Sequence, residues 1–545
     1  MTQHPSGDDV AQGRSFIEDG RTALGVEFGS TRIKAVLTGP AGEVLASGGH
    51  EWENQFADRM WTYSLEAVEE GLQAAYADLA AAVRQRYGVA VTTLGAAGIS
   101  AMMHGYLAFD AAGDLLVPFR TWRNTTTERA ATALTDLFDF TIPLRWSVAH
   151  VYQAILDEEA HVGQIASITT LAGYVHERLT GERVLGVGDA SGMFPIDSTT
   201  GDWDADRLVQ FDELLARDGV AAPWKMRDIL PQVLPAGAPA GRLMEAGARL
   251  LDPTGTLQPG AFVAPPEGDA GTGMVATNAI APRTGNVSAG TSIFAMIVLE
   301  HALSAAHPEI DMVTTPAGDP VAMVHCNNGA SELNEWCGLF GDFAAAAGVP
   351  LETNVVFETL FRQALEGEAD GGGLLAYNYL SGEPITGLAE GRPLVARTPD
   401  SRFTLPNFMR VQLYSAFATL KLGMNILAGE NVAIDSMFAH GGLFKTAGVA
   451  QRFLAAAMGT SVTVGETASE GGAWGMAVLA LYRSYCESAG AGADDLRAWL
   501  ETTIFADAPT STLEPDEADV AGFEAFIERY VAALPVEKLA TEAMS

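Results

Sequence analysis

The segment Gly25-Val-Glu27-Phe-Gly29-Ser30-Thr31-Arg-Ile-Lys34-Ala-Val-Leu returns later as Gly285-Asn-Val-Ser-Ala-Gly290-Thr291-Ser292-Ile-Phe-Ala-Met-Ile-Val. From Gly29 to Gly290 the chain advances 261 residues, close to half of its 545. Each copy reads as a strand, a glycine-hydroxyl-hydroxyl turn and a second strand. A repeat at that spacing predicts two domains of one plan. Length alone allows three or four units or two large ones, and the echo favours two.

Apolar runs on either side of Gly39-Pro40-Ala41-Gly42 predict a hairpin over residues 22–50. Leu65, Val68, Leu72, Ala75, Leu79 and Val83 recur at helical spacing, and a strand-like run from Thr93 to Ser100 follows. Strands alternating with helices predict an α/β fold. The boundary is placed near residue 275, after the Pro- and Gly-bearing stretch 265–273, which reads as a linker. The divisions are then a loose tail over 1–20, an N-terminal domain over 21–275 and a C-terminal domain over 276–545. Residues 515–540 read as an acidic amphipathic helix with a solvated face.

With 32 Lys+Arg against 68 Asp+Glu, the formal charge of −36 repels phosphate backbones and anionic lipid, which argues against nucleic acid or a membrane as partner. Three cysteines, Cys326, Cys337 and Cys486, form no C-x-x-C pair and no disulfide framework, which points to a reducing cytoplasm. The polar start of the chain has no signal-peptide pattern, and no stretch has the length and apolarity of a membrane span.

A Gly-Ser-Thr or Gly-Thr-Ser turn between strands offers backbone N–H groups and hydroxyls to phosphate oxygens. Glu27 lies on the same strand face as Gly29. It reads either as an exposed strand carboxylate or as a water-mediated ligand of a divalent metal. Asp189, in Val184-Leu-Gly-Val-Gly-Asp-Ala-Ser-Gly-Met-Phe, lies in a glycine-flanked loop and reads either as an ordinary turn acid, the commoner case, or as a carboxylate at a cleft wall placed to accept a hydroxyl proton. Met103-His104-Gly105 and Trp122-Arg123-Asn124 set polar and aromatic groups at strand ends, as sugar sites do, although a lone His or Trp is more often simply packed. No P-loop, H-E-x-x-H or G-x-S-x-G is present. Gly271-Thr-Gly273-Met-Val-Ala276 matches a dinucleotide fingerprint in form, but Pro282 curtails its helix and Met296 stands where the ribose-binding acid belongs.

Taken in order, these pieces resemble the FGGY carbohydrate kinases, a branch of the actin-like ATPase superfamily, from about residue 22 to about 485. The carrying motifs are Gly25-x-Glu-Phe-Gly-Ser-Thr-x-x-Lys34, Met103-His104-Gly105, Trp122-x-Asn124, Gly188-Asp189-Ala-Ser191-Gly192 with Asp197 and Trp203, Gly268-Asp269-Ala-Gly271-x-Gly273, Gly290-Thr291-Ser292, Tyr379-Leu-Ser-Gly382-Glu383 and Gly441-Gly442. The resemblance implies two ribonuclease-H-like domains with a cleft between them, sugar held by the first and ATP by the second. It puts Asp189 at the catalytic base and Met103, His104, Trp122 and Asn124 on the sugar. Gly29, Ser30, Thr31 and Lys34 fall on the first phosphate motif, Gly290, Thr291 and Ser292 on the second, and Gly441 and Gly442 on the adenosine motif. Glu27 and Asp269 fall beside Mg²⁺.

Met-His-Gly followed by a Trp motif is most similar to the xylulokinase group, so the expected activity is ATP-dependent phosphorylation of a ketopentose such as xylulose. The alternatives are a ribulokinase or other sugar or polyol kinase of the family, and an actin-like sugar sensor without turnover. A homodimer is compatible with the family. Two departures stand out: Asn124 replaces an expected sugar-binding carboxylate beside Arg123, and Glu27 replaces the usual Asp.

Overall fold

A computed structural model describes residues 7–57, 59–220, 222–465 and 471–544. The chain divides into two compact units, the first formed by Met1–Ile280, Met312–Pro320 and Thr467–Asp507, the second by Ala281–Asp311, Val321–Glu466 and Ala508–Ser545.

In the first unit the predicted hairpin forms. Strand Ala23–Phe28 runs antiparallel to Arg32–Thr38, which runs antiparallel to Val44–Glu51. On its other edge Ala23–Phe28 pairs in parallel with Ala96–Ala101, and that strand pairs in parallel with Phe262–Val263 and, further along, Glu267–Gly268. The predicted helix spans Leu65–Tyr87. Ser64 caps its start by accepting from the Ala67 N–H, and Gly88, at φ 70°, ends it in the left-handed conformation that glycine adopts without strain. Val68, Leu72, Ala75, Leu79 and Val83 are buried as the periodicity requires, each contributing about 1.5–3 kcal/mol of apolar burial.

Glycines let helices approach this sheet from both faces. A Cβ on Gly48 would lie 2.2 Å from the Leu79 nitrogen of that helix, and one on Gly25 would lie 2.0 Å from the Ala473 carbonyl. Ala473 belongs to helix Gly471–Ala489, so a late, Ala- and Gly-rich helix completes the first unit.

The second unit repeats the plan. Thr284–Ala289 is antiparallel to Ile293–Val298, which is antiparallel to Pro320–Cys326, and Thr284–Ala289 is parallel to Ser436–His440. Ser461–Gly465 and Thr510–Leu513 extend that sheet. The strand pairings around each echoed turn are therefore the same in kind and order.

Several expectations are corrected. Gly7–Glu18 is a helix, not a tail: Ile17 is fully buried, and Gly13 sits against the Tyr87 ring. Residues 1–6 lie outside the described residues. A single cut near 275 is replaced by a division in which 312–320 and 467–507 return to the first unit. The expected linker is strand Glu267–Gly268 followed by helix Asp269–Ala276, and Gly268 and Gly271 serve close packing there, against Met103 and Pro316. The last helix, Glu517–Ala543, buries Phe523, Phe526, Ile527 and Tyr530, so it is a core element of the second unit. Asp519 at its start is paired with Arg410 at 3.0 Å and with Arg452.

Candidate active site

The turn at Gly29–Thr31 is fixed through its carbonyls. Trp52 Nε1–H donates to Gly29 O at 2.7 Å, the Tyr63 hydroxyl to Ser30 O at 2.6 Å, and the Trp52 N–H to Thr31 O at 3.2 Å. Trp52 and Tyr63 stack with centroids 4.0 Å apart, which holds both donors in place. In a trans peptide the C=O and the following N–H point in opposite directions. Drawing these carbonyls toward the protein therefore aims the N–H groups of Ser30 and Thr31 the other way, as an anion-receiving turn requires.

The second turn reaches the same state with backbone donors. Ala330 N–H donates to Gly290 O at 2.9 Å, Gly329 N–H to Thr291 O at 2.8 Å, and Gly290 N–H to Ser292 O at 3.0 Å. The segment bearing Gly329 is clamped by Asn328. Its Oδ1 accepts from Leu380 N–H at 2.9 Å and Ser381 N–H at 3.0 Å, and its Nδ2 donates to Glu383 Oε2 at 3.1 Å. Burial pushes the Glu383 carboxyl up to about 7. Gly441, at φ 110°, ends strand Ser436–His440, and a Cβ there would lie 2.3 Å from the Ala289 carbonyl. A Cβ on Gly442 would meet nothing within 4 Å, which leaves that backbone open to a ligand.

In the first unit Glu27 is the cross-strand partner of Lys34. Its carboxyl is pushed up by burial, held back by the Lys34 charge, raised by Asp269, and held back by the N–H of Ala473. A Cβ on Gly472 would lie 2.4 Å from Glu27 Oε1, so the Glu27 side chain packs against the start of helix Gly471–Ala489. Asp269 begins helix Asp269–Ala276 and accepts the Met103 N–H at 3.2 Å. Solvent reaches Asp269, yet protein atoms crowd it, and that crowding raises its carboxyl above the usual range. Among the described residues no group of three or more His, Cys, Asp or Glu is placed to hold a metal. Two acids on one edge still fit Mg²⁺, which keeps several waters and takes substrate phosphates as ligands.

Asp189 is fully buried. It sits in a one-turn helix, Val187–Ala190, and not in the expected loop. The Thr170 hydroxyl donates to its Oδ2 at 2.6 Å, while its Oδ1 is buried without a hydrogen-bond partner. Burial pushes the carboxyl up to about 7, with the Thr170 bond opposing and the Asp269 charge adding. Asp189 is thus a buried acid with one oxygen held and the other without a partner.

His104, at φ 70°, is buried beside this turn with Nδ1 3.2 Å from Gly192 O. A carbonyl only accepts, so Nδ1 carries the proton and Nε2 is the acceptor. Burial, assisted by the Arg145 charge, holds His104 neutral well below its usual pKa. Met103 packs where a Cβ on Gly268 would lie, 2.1 Å from its Cγ. Trp122 is 37% exposed and donates from Nε1 to Ser30 Oγ at 3.2 Å, so it is tied to the turn at Gly29–Thr31. It follows an isolated bridge at Arg120 and not a strand.

Asn124 is a correction. Its Nδ2 donates to Trp61 O at 2.8 Å and Thr121 O at 3.0 Å, and its Oδ1 accepts from Trp61 N–H at 2.9 Å. Both donors are spent on backbone, so the side chain straps its own loop to strand Met60–Thr62 and does not reach for a sugar.

Sequence reasoning missed Thr170, Trp52, Tyr63, Asn328 and Glu267. The first four carry no local motif, since each acts on a turn distant in sequence. Glu267 carried a faint signal, an acid inside an apolar, proline-led run.

Family models for the FGGY family of carbohydrate kinases match this chain, the N-terminal domain over residues 22–252 and the C-terminal domain over 285–484. A xylulose kinase from Klebsiella pneumoniae is 25% identical over 246 residues, covering 41% of this chain and 46% of the relative. One from Escherichia coli (strain K12) is 26% identical over 231 residues, covering 40% and 45%. The chain thus matches less than half the length of these curated relatives. Among solved structures, a xyloylose kinase from Brucella ovis superposes with TM-score 0.74 at 20% identity, covering 96% of this chain and 100% of that one. A gluconate kinase from Lactobacillus acidophilus gives 0.74 at 16%, covering 96% and 99%, and a Plasmodium falciparum glycerol kinase with ADP gives 0.70 at 12%, covering 93% and 98%. These likenesses establish the actin-like ATPase fold.

Proposed function

We propose, because this chain belongs to the FGGY family of carbohydrate kinases, that it transfers the terminal phosphoryl group of ATP to a hydroxyl of a small sugar. The names of the curated relatives favour a ketopentose such as xylulose. The observation that carries this reading is Asp189, buried, with one oxygen held by Thr170 and the other left without a partner. Asp189 takes the proton of the attacking hydroxyl as the new O–P bond forms and the bond between the terminal phosphorus and the ADP oxygen breaks, releasing ADP. Met103, His104 and Trp122 orient the sugar, with His104 Nε2 accepting from a second hydroxyl. The N–H groups of Ser30, Thr31, Thr291 and Ser292, with Lys34, receive phosphate oxygens, and Gly441 and Gly442 give the adenosine close access to backbone. Mg²⁺, when bound near Glu27 and Asp269, supplies charge neutralisation at the phosphates.

This local cationic environment lets a chain of net charge −36 accept ATP. Three free cysteines, two of them buried, support a reducing cytoplasmic setting. Among the described residues no helix is long and apolar enough to cross a membrane.

A second reading, a sugar sensor without turnover, is favoured by Glu27 standing where the family has Asp and by Asn124, whose amide donors are spent on backbone carbonyls. ADP release measured over pentuloses, hexuloses, polyols and aldonates separates the two. Release stimulated by a pentulose supports the kinase, and sugar binding without release supports the sensor.

A further inference from the structure

Glu383 is fully buried in the second unit. Its backbone is set by an isolated bridge to Leu388, in which Glu383 N–H donates to Leu388 O at 2.7 Å and Leu388 N–H to Glu383 O at 3.2 Å. From that anchor one carboxylate oxygen, Oε2, accepts twice from Asn328, from its backbone N–H at 3.3 Å and from its Nδ2 at 3.1 Å. Oε1 is buried without a partner, so a proton taken up by this raised carboxyl belongs there and leaves Oε2 an acceptor.

Asn328 passes the constraint on. An acceptor at Oε2 orients the amide, with Nδ2 toward Glu383 and toward Ser381 O at 3.1 Å, and with Oδ1 toward the N–H groups of Leu380 and Ser381. Asn327 Nδ2 donates to Gly382 O at 2.9 Å, and Asn378 Nδ2 donates to Asn328 O at 3.0 Å and Gly329 O at 2.9 Å. Segment 327–330 is thereby set hard against the turn at Gly290–Ser292: a Cβ on Gly329 would lie 2.5 Å from Gly290 O and 2.8 Å from Thr291 O. Ala330 N–H and Gly329 N–H hold those two carbonyls, which turns the N–H groups of Thr291 and Ser292 the other way.

An exposed acid could be exchanged at little cost, but this one accepts a buried backbone N–H. Losing it leaves the Asn328 N–H unsatisfied in the core and frees the amide to turn. We propose that Glu383 is a positioning residue for the nucleotide: through Asn328 it fixes the segment that aims the Thr291 and Ser292 N–H groups at phosphate oxygens. The proposal rests on the reading of Gly290–Ser292 as a phosphate turn.

The test is calorimetric titration of the full chain with ATP and, separately, with the sugar of the panel that it binds most tightly. Glu383→Met fills the space without an acceptor and should weaken ATP binding about ten-fold, with sugar binding within about two-fold. Glu383→Gln places an amide oxygen where Oε2 stands and should keep ATP binding within about three-fold of wild type. Glu383→Met added to Asn328→Ala should weaken ATP binding by less than about two-fold beyond Asn328→Ala alone, because both act through one contact. Wild-type ATP affinity in Glu383→Met, an equal loss in Glu383→Gln, losses that multiply in the double variant, or sugar binding that weakens as much as ATP binding each overturns the proposal.

Glu383→Asp decides the matter if Glu383→Met does not fold. It keeps the charge but withdraws the oxygens from Asn328 by one C–C bond, and ATP affinity should fall while sugar affinity holds; full ATP affinity overturns the proposal. Gly329→Ala separates the proposal from its premise, because its Cβ meets the turn directly. Unchanged ATP affinity in Gly329→Ala would remove the phosphate-turn reading itself, whereas weakened binding there with full affinity in Glu383→Met removes only the role of Glu383.

Discussion

Replacing Asp189 by Asn should make the protein more stable and almost inactive, and the two effects should share a pH dependence. The Asp189 carboxyl is pushed from its ordinary 3.8 up to about 7, by burial first, against the Thr170 bond and with the Asp269 charge adding. That displacement penalises the ionised form in the fold by on the order of 4 kcal/mol. A raised folded pKa means that this group destabilises progressively from about pH 4 to about pH 7, with the full penalty above that. Asn titrates nowhere in this range and escapes the penalty. It leaves an amide N–H where Oδ1 had no partner, a cost of about 1–3 kcal/mol. The net expectation at pH 8 is a variant more stable by about 1–3 kcal/mol. Urea denaturation at pH 5 and pH 8 should show the difference between variant and wild type growing in the variant's favour by about 2–3 kcal/mol at the higher pH. In turnover, loss of the base should lower kcat by about 100- to 10,000-fold. Wild-type kcat/KM should fall as pH drops below about 7, because protonated Asp189 cannot take the hydroxyl proton. A variant with near-normal turnover, or with the same pH slope of stability as wild type, would refute the reasoning.

Asn328→Ala should strand the N–H groups of Leu380 and Ser381 and loosen the segment whose Gly329 pins Thr291. Calorimetric titration should show ATP binding about ten-fold weaker, on the order of 1.4 kcal/mol, with sugar binding unchanged. Asp519→Ala removes one side of a buried pair in which Arg410 and Asp519 are 2% and 3% exposed. Breaking such a pair costs about 3–5 kcal/mol, so the urea midpoint of the second unit should fall markedly, and an unchanged midpoint would show that the last helix adds no stability.

The parts of the fold legible in sequence were those with local signals. The echoed turns announced themselves because apolar strands on both sides of Gly-hydroxyl-hydroxyl are short-range patterns, and Leu65–Tyr87 because its buried stripe keeps one period. Helix Gly471–Ala489 was visible as a helix, but its place against Gly25 was not, since nothing local records a contact made across most of the chain. Asp189 was legible as a residue, whereas its environment depends on Thr170 and Glu267, which act through tertiary contacts. Asn124 misled because the same amide that suits a sugar also suits two backbone carbonyls, and burial at 3% exposure decides for the second. The last helix misled because its charged residues obscured the aromatic stripe of Phe523, Phe526 and Tyr530.

Phosphoryl transfer itself is the most direct test. The full chain is incubated with ATP, Mg²⁺ and D-xylulose, then with each other pentulose, hexulose, polyol and aldonate, and the products are read by mass spectrometry. A sugar monophosphate should appear in step with ADP for one pentulose and vanish in Asp189→Asn. Sugar and ATP binding without any sugar phosphate across the panel would contradict the kinase reading and leave the sensor.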